Sequence, residues 1–250
     1  MDLNQQNRTY HEAQSAMELL PNYYSWTYGK FKKYITGCVV ELGCGAGMGI
    51  ATYIDDAKKV YAVDHDDELL RRVDARFRGQ NIETVATDLL GDWKELAELN
   101  ADVVIMMDVV EHFLDDVTFI SNAAELLGPA GYLIVKVPAQ RRLYSEMDQA
   151  SGHYRRYDAE DLVHLADAAG LVVKELKTIN PVGGLIYRFR NNARTSLSKT
   201  FSPQQLRLIN AAIPLLSAVE RIPKLPGLSI MALLEKRENH VNGTLSHAPK

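Results

Sequence analysis

Residues 38–64 read CVVELGCGAGMGIATYIDDAKKVYAVD, and this stretch decides the fold of the chain. It opens with the β-branched, apolar run Cys38–Leu42, which predicts a short buried strand. Glycines then follow at three alternate positions, Gly43, Gly45 and Gly47. They let the backbone turn sharply and leave no side chains in the way. A ligand can therefore lie directly against the chain and against the start of a following helix.

That helix is predicted over Gly49–Asp56, and a second strand over Val60–Val63 ends in Asp64. A carboxylate at the tip of the second strand of a βαβ unit is placed to accept two hydrogen bonds from ribose hydroxyls. The sequence therefore predicts a ligand that contains a nucleoside.

Two residues distinguish between the possible nucleoside ligands. A dinucleotide fingerprint, G-x-G-x-x-G, that starts at Gly43 needs a glycine at position 48, where this chain has Met48. A pyrophosphate also disfavours a nearby carboxylate, whereas Glu41 suits a ligand that carries a positive ammonium or sulfonium group. Both observations argue against a nicotinamide dinucleotide.

The pattern E-L-G-C-G-A-G, followed by V-D-H-D, resembles the S-adenosylmethionine (SAM) site of class I methyltransferases. Further motifs stand in the family's order: Asp88 follows a predicted strand over Ile82–Ala86, and Asp108-Val109-Val110-Glu111-His112 follows a continuous apolar strand that starts at Ala101. The resemblance implies an α/β fold with a Rossmann-like, doubly wound, seven-stranded and mostly parallel sheet. Its last strand would be antiparallel, with helices before the sheet and a helical insertion between the last two strands.

The same resemblance implies SAM as the cofactor, S-adenosylhomocysteine as its product and methyl transfer as the reaction. The acid after the second strand would bind the ribose. Asp88 would contact the adenine amino group, or it would instead cap the next helix. The residues assigned to the cofactor are Glu41, Gly43, Cys44, Gly45, Gly47, Asp64, His65, Asp88, Leu89, Asp108 and Val109.

Residues 143–157, LYSEMDQASGHYRRY, form a polar, aromatic and basic loop after a predicted fifth strand over Tyr132–Val137. His153 is the first candidate to take a proton from an acceptor hydroxyl, and Arg155 or Arg156 to bind a carboxylate or phosphate. In the alternative interpretation, Asp148, His153 and the arginines satisfy one another and hold the wall of the site. His112, at the end of the fourth strand, is the second catalytic candidate, or it orients its own loop.

Residues 1–37 are rich in aromatic side chains and predict a helical cap with a break at Pro21. This segment either covers one edge of the sheet or folds over the cofactor and forms part of the acceptor pocket. The residues predicted to bind the acceptor are Tyr24, Trp26, Tyr144, Arg155 and Arg156.

The SAM-binding core is predicted over residues 38–176 plus 228–237. The 51 residues from Lys177 to Gly227 are too many for a simple loop and predict a helical insertion. The insertion serves as a lid, a dimer surface or a place for a lipid-like acceptor, or its apolar face packs on the edge of the sheet. A tail over residues 238–250 is polar and is expected to be disordered.

Composition narrows the partners. A net charge of −4 gives no general attraction to nucleic acid, and no apolar run approaches the 18 residues of a membrane span. The only two cysteines, Cys38 and Cys44, offer no disulfide framework or C-x-x-C site, which fits a reducing cytoplasm. No cluster of metal ligands is recognised in the sequence, so no metal is expected.

The segment G-H-Y-R-R-Y at 152–157 resembles segments of bacterial methyltransferases of small-molecule and saccharide pathways. This resemblance implies an enzyme that methylates a small molecule, with an oxygen of a biosynthetic intermediate as the favoured acceptor atom. N- or C-methylation is the alternative within the family. A NAD-dependent oxidoreductase and a non-catalytic SAM-binding protein are the alternatives outside it. A homodimer through the insertion is a further expectation.

Overall fold

The computed structural model describes residues 11–12, 14–91, 93–183, 202–221 and 226–237. Its centre is a seven-stranded sheet, and the strands in chain order are β1 (Gly37–Leu42), β2 (Ala57–Asp64), β3 (Ile82–Ala86), β4 (Ala101–Met107), β5 (Leu127–Pro138), β6 (Leu171–Ile179) and β7 (Ser229–Lys236). Their spatial order is β3-β2-β1-β4-β5-β7-β6. Neighbours are parallel from β3 to β5, and β7 is antiparallel to both β5 and β6. The predicted fold class is confirmed.

Helices cover the sheet or connect its strands. In chain order they are α1 (Pro21–Tyr28), α2 (Asp67–Arg76), α3 (Lys94–Ala97), α4 (Asp116–Glu125), α5 (Glu146–Ala150), α6 (Ala159–Ala168) and α7 (Pro203–Ala218). None of the helices in the described ranges combines the length and the apolar composition needed to cross a membrane.

The central strand β4 is apolar along its whole length because both of its faces are covered. Val104 and Met106 pack into the hydrophobic cluster on one side of the sheet, while Val103 and Ile105 pack into the cluster on the other side. All four are at most 1% exposed. Successive side chains of a strand point to opposite faces, so a strand buried on both faces has no polar alternation.

The N-terminal segment breaks where the sequence predicts. Residues 14–17 are helical, and Pro21 is the first residue of α1. Proline is well tolerated there because its missing N–H would have no partner within the helix.

The predicted helix over Gly49–Asp56 is wrong. Only a single 3₁₀ turn forms, over Ile50–Thr52, and β2 already begins at Ala57. Too few residues remain for two full helical turns, and Asp55 and Asp56 would place negative charge at a helix C-terminus, where it is unfavourable.

The fifth strand starts earlier than expected. Gly128-Pro129-Ala130-Gly131 looks like a stop signal in the sequence, yet β5 runs through it from Leu127. A register shift against β4 absorbs the irregular residues, and Ala130 adopts a φ of 55°. A β-bulge of this kind lets a strand continue through residues that would otherwise end it.

The insertion begins later than residue 177, because β6 continues to Ile179. Its described part contains α7, which starts after Ser202, where the Ser202 and Gln205 side chains form a capping box. Asn22 donates two hydrogen bonds to Asn210 of α7. Its backbone N–H donates to the side-chain oxygen of Asn210, and its side-chain amide donates to the backbone carbonyl of Asn210. The basic stretch 187–199 and the tail over 238–250 lie outside the described residues.

Candidate active site

The loop after β1 can only be built from glycine. Gly43, Gly45 and Gly47 have φ angles of 72°, 53° and 74°, in the left-handed region that disfavours side chains. A Cβ atom at these positions would lie 2.7 Å from Val109, 2.8 Å from Gln14 and 2.9 Å from Phe77, respectively. The N-terminal segment therefore packs directly onto the glycine loop, as expected if it forms a cap there.

Asp64 ties the end of β2 to this loop. Its buried carboxylate accepts the Gly45 N–H at 2.8 Å through Oδ2 and the Asp66 N–H at 3.1 Å through Oδ1. The exposed His65 ring lies 3.2 Å from the same carboxylate, and this contact raises the pKa of His65. The acid predicted to bind the ribose thus lies beside the glycine loop.

Glu41 is the buried acid of β1, and two tyrosines bind it. Tyr28 donates a hydrogen bond of 2.6 Å to one carboxylate oxygen, and Tyr53 donates one of 2.5 Å to the other. Burial raises the pKa of Glu41 to about 7, although both hydroxyl groups favour the ionised form. No sequence signal links these tyrosines to Glu41, because they come from separate elements.

Lys136 is a site residue that the sequence reasoning missed. It is 3% exposed near the carboxyl end of β5, and it forms an ion pair with Asp108 at the end of β4. Burial opposes its charge, but Asp108 and the Tyr23 hydroxyl together hold the pKa of Lys136 above its ordinary value. A lone lysine in the apolar run YLIVKVP was the available signal.

Tyr24 lies within a row of aromatic rings. Its ring centroid is 5.9 Å from that of Tyr23 and 6.3 Å from that of Tyr28, and burial raises its pKa. This row joins Lys136 to Glu41 across the N-terminal cap. Trp26 extends the row away from Glu41: its ring centroid is 6.1 Å from that of Tyr23, and its indole donates a hydrogen bond of 3.1 Å to Glu220, next to α7.

Asp88 does not cap the next helix, so that alternative is wrong. Its exposed side chain accepts the Leu90 N–H at 2.9 Å, and α3 begins only at Lys94. Leu89 packs against the core, and its backbone carbonyl accepts a hydrogen bond from the Trp93 indole. Cys44 is buried, and burial raises the pKa of its thiol. The adenine role of Asp88 stays a prediction.

The loop at 143–157 is organised around Asp148. This buried carboxylate accepts from Arg156 at 2.9 Å and contacts Nδ1 of His153 at 3.2 Å. Tyr144 donates to the carbonyl of His153 at 2.8 Å, and Arg155 pairs with Asp116 at 3.0 Å. These are the contacts of the alternative in which the loop satisfies itself and holds a wall of the site.

Three of the predicted acceptor-binding residues nevertheless share one cleft. Tyr144, Arg155 and Arg156 line a cavity of about 560 Å³ between this loop and helices α4 and α6. Their direct contact with an acceptor stays a prediction.

The two predicted catalytic histidines are neighbours. The rings of His112 and His153 are 4.8 Å apart at 84°, and Nε2 of His153 lies 3.9 Å from the carboxylate of Glu111. Partial desolvation by the surrounding protein, together with the neighbouring His153, lowers the pKa of His112 to about 4. Glu111 was quoted within its motif, but nothing in its spacing singled it out.

Val109 connects this pair to the glycine loop. Its side chain covers Gly43, and its carbonyl accepts the His112 N–H at 3.0 Å. The residues assigned to the cofactor and those assigned to catalysis therefore meet at the carboxyl ends of β1 and β4. Ligands bind at this position in open α/β sheets.

A family model described as a methyltransferase domain matches residues 14–176. The chain belongs to the class I SAM-dependent methyltransferases. A protein named "probable S-adenosylmethionine-dependent methyltransferase" from Mycolicibacterium smegmatis is 30% identical over 141 residues, which are 55% of this chain and 52% of that protein. The chain spans about half the length of the first curated relatives that it matches.

Other relatives extend the comparison. A ubiquinone biosynthesis O-methyltransferase of Xanthomonas oryzae pv. oryzae is 25% identical over 180 residues, covering 63% of this chain and 70% of that enzyme. A SAM-dependent methyltransferase from Archaeoglobus fulgidus has the same fold, with a TM-score of 0.60 at 17% identity over 86% of this chain and 94% of that one. The N-methyltransferase NodS of Bradyrhizobium japonicum, solved with S-adenosylhomocysteine, has a TM-score of 0.52 at 16% identity, covering 81% and 79%.

The cofactor of this methyltransferase is SAM, and the glycine loop fits it. A side chain at Gly43, Gly45 or Gly47 would collide with neighbouring residues. Because glycine has no side chain, a ligand can approach the backbone of this loop closely. Glu41 supplies the acid that suits a cationic ligand, and Asp64 the acid at the end of β2. The individual contacts of these residues with SAM stay predictions.

Proposed function

We propose that this methyltransferase transfers the methyl group of SAM to an oxygen of a small-molecule acceptor, a hydroxyl or carboxylate of a biosynthetic intermediate. The observation that carries the proposal is the pair of His112 and His153 beside Glu111, next to the residue that covers the glycine loop. The similarity to a ubiquinone biosynthesis O-methyltransferase supports an oxygen acceptor.

SAM supplies an activated methyl group when it is bound, so this chain's residues mainly align the acceptor and exclude water. The glycine loop, Glu41, Asp64 and Asp88 would hold the cofactor. Tyr24 and Tyr144 would contact the acceptor from the cap and from the 143–157 loop, with the arginines behind Tyr144.

His153 is the better placed of the two histidines to accept a proton. Its Nδ1 faces Asp148, and its Nε2 faces Glu111. A carboxylate on one ring nitrogen fixes the orientation and the tautomer of the imidazole, which leaves the other nitrogen as the proton acceptor. A hydroxyl acceptor would lose its proton to this nitrogen, whereas a carboxylate acceptor would need no base.

The cofactor is tested first by calorimetric titration with SAM, S-adenosylhomocysteine and NAD in parallel. We expect binding of SAM and its product. Binding of NAD without SAM would overturn the assignment in favour of an oxidoreductase, and tight SAM binding without any turnover would indicate a non-catalytic protein.

The acceptor atom is tested by screening hydroxyl, carboxyl and amine compounds with methyl-labelled SAM. We expect label on oxygen, and a product labelled on nitrogen or carbon would contradict O-methylation. With a hydroxyl acceptor in hand, His153→Ala should lower kcat at least tenfold. His164→Ala removes an exposed histidine of α6 that lines the cleft but is not paired with His112, and it should lower kcat less than His153→Ala does.

The proposal also includes the location of the protein. Its two cysteines are free, which supports a cytoplasmic location.

The exposed leucines of α7 support a homodimer through the insertion. Leu208 and Leu215 are 71% and 75% exposed and lie seven residues apart on one helix face. Light scattering should give twice the monomer mass, and the Leu208→Asp/Leu215→Asp variant should be monomeric.

A further inference from the structure

Three side chains that commonly bind metals come together at the carboxyl end of β4. One ligand atom from each of Glu111, His112 and His153 lies within 4.8 Å of the other two. The first two follow β4 directly, and the third comes from the 143–157 loop. The Tyr154 N–H, which donates to the Glu111 carbonyl at 2.8 Å, holds the loop against the strand end.

The Glu111 carboxylate has no hydrogen-bond partner among the described residues, and its contact with Nε2 of His153 is 3.9 Å long. The residue is 0% exposed, and neither of its oxygens accepts a hydrogen bond. The nearest buried cations are engaged elsewhere, since Lys136 pairs with Asp108 and Arg156 pairs with Asp148. A buried acid without a partner is costly to the folded state unless a cation or a proton neutralises it.

The two imidazoles are held as metal ligands usually are. Nδ1 of His153 lies 3.2 Å from Asp148, so the ring turns Nε2 towards Glu111. Arg156 in turn fixes Asp148 through contacts of 2.8 and 2.9 Å. Ligating histidines typically carry such a carboxylate on the second ring nitrogen, which fixes the tautomer.

Gly152 lies against the other ring. Its φ is 81°, and a Cβ atom there would lie at an ordinary contact distance of 3.5 Å from Nδ1 of His112. The loop that carries His153 therefore also contacts the His112 ring.

We propose that Glu111, His112 and His153 bind one divalent first-row transition metal ion, such as Zn²⁺, Co²⁺ or Mn²⁺. Two imidazole nitrogens and one carboxylate oxygen suit these ions better than Mg²⁺ or Ca²⁺, which prefer oxygen ligands. With bonds of about 2.1 Å at tetrahedral angles, neighbouring ligand atoms stand about 3.4 Å apart. The present 3.9 Å between Nε2 of His153 and Glu111 therefore closes by about 0.5 Å on binding, whereas ligand atoms up to 4.8 Å apart must approach by more than about 1 Å.

Three protein ligands leave at least one coordination position open, which is typical of catalytic rather than structural metal sites. What that position binds rests on the proposed function: an acceptor hydroxyl. With the metal bound, Nε2 of His153 is a ligand and is no longer available as the base, so a hydroxyl held at the open position releases its proton to solvent, more readily than a free hydroxyl does. Its oxygen electron pair then forms the bond to the methyl carbon, while the carbon–sulfur bond breaks and returns its pair to sulfur.

The test uses the metal alone. Untagged protein is stripped with EDTA, dialysed, and titrated with Zn²⁺ by calorimetry and with Co²⁺ by visible absorption. We expect one equivalent to bind and Co²⁺ to give d–d bands of a nitrogen-ligated site. His112→Ala, His153→Ala and Glu111→Gln should each weaken binding at least tenfold, and His164→Ala should not change it.

Circular dichroism checks that every variant is folded, and His112→Ala keeps the test decisive if Glu111→Gln does not fold. The proposal fails if the stripped protein takes up no Co²⁺ at one equivalent. It also fails if His112→Ala and His153→Ala bind as tightly as the unaltered chain, since the metal would then sit on other histidines. Because neither SAM nor an acceptor is present, the result is independent of O-methylation, which the labelling screen tests separately.

Discussion

The carboxylate of Asp64 accepts the backbone N–H of Gly45 at 2.8 Å, across the gap between the end of β2 and the glycine loop. The predicted ribose acid therefore also positions the loop that faces the same ligand. Asp64→Ala should weaken SAM binding by about 1–3 kcal/mol, through the loss of charge-assisted hydrogen bonds. Calorimetric titration with SAM measures this change.

Asp102→Ala is the matched control for that variant. Asp102 is an exposed acid at the start of β4 that accepts the Cys38 N–H at 2.7 Å, at the opposite edge of the sheet. Its removal should leave SAM binding unchanged. An Asp64→Ala protein with the SAM affinity of the unaltered chain would contradict the ribose assignment.

The buried Glu41 should make stability depend on pH. Its pKa is about 7 in the folded protein, against 4.5 for an unperturbed glutamate, so the folded chain holds more protons between these values. The free energy of unfolding should therefore fall as pH rises from about 4.5 to 7, by about 3 kcal/mol at most. Glu41→Gln should remove this part of the pH dependence.

Urea denaturation at several pH values compares Glu41→Gln with the unaltered chain and with Glu83→Gln. Glu83 is an exposed glutamate on β3 and serves as the control. Parallel stability curves for Glu41→Gln and the unaltered chain would show that Glu41 does not titrate in this range.

Alanine substitutions at two glycines with similar φ angles distinguish the cost of backbone strain from the cost of a steric clash. Gly47 and Gly79 have φ angles of 74° and 82°, but a Cβ at Gly47 would lie 2.9 Å from Phe77, and none of the described atoms lies within 4 Å at Gly79. Gly79→Ala should cost about 1–2 kcal/mol from the left-handed backbone alone. Gly47→Ala should cost more and should weaken SAM binding as well, because the whole loop must shift.

Thermal denaturation and SAM titration of both variants test this difference. Equal losses of stability, with SAM affinity retained in Gly47→Ala, would show that the loop can accommodate a methyl group at that position.

The Asp148–Arg156 ion pair should be a major contributor to stability. Both residues are at most 5% exposed, so Asp148→Asn leaves a buried guanidinium without its carboxylate and should cost about 3 kcal/mol. Asp167→Asn, which breaks the exposed pair with Arg237, should cost less than about 1 kcal/mol.

The double variant Asp148→Asn/Arg156→Met completes the cycle. It should lose less stability than the sum of its single variants, because the second change removes the unpaired charge. Additive losses in urea denaturation would mean that the two side chains are not energetically coupled.

Much of the core was predictable because its signals are local. The apolar run of β4, the alternating glycines and the acid after β2 are each carried by residues adjacent in sequence, and the structure confirms the sheet that they imply. The helix expected over Gly49–Asp56 was wrong for the converse reason. Its length depended on where β2 begins, which the residues of the helix do not determine.

The site's pairings were not predictable in the same way. Tyr28 and Tyr53 bind Glu41 from different elements, and Lys136 of β5 pairs with Asp108 at the end of the neighbouring strand β4. His112 and His153 could each be selected for its position, but their contact depends on how the 143–157 loop packs against the end of β4. Such contacts arise only from tertiary packing, for which a single sequence holds no spacing rule.

The hydrogen bonds between Asn22 and Asn210 fasten the insertion to α1, the helix that carries Tyr23, Tyr24 and Tyr28. Substitutions in α7 that tilt this helix would move the aromatic wall while leaving the strands beneath the cofactor untouched. Substitutions in the insertion can therefore change which acceptor fits during evolution, while the residues that bind the methyl donor stay the same.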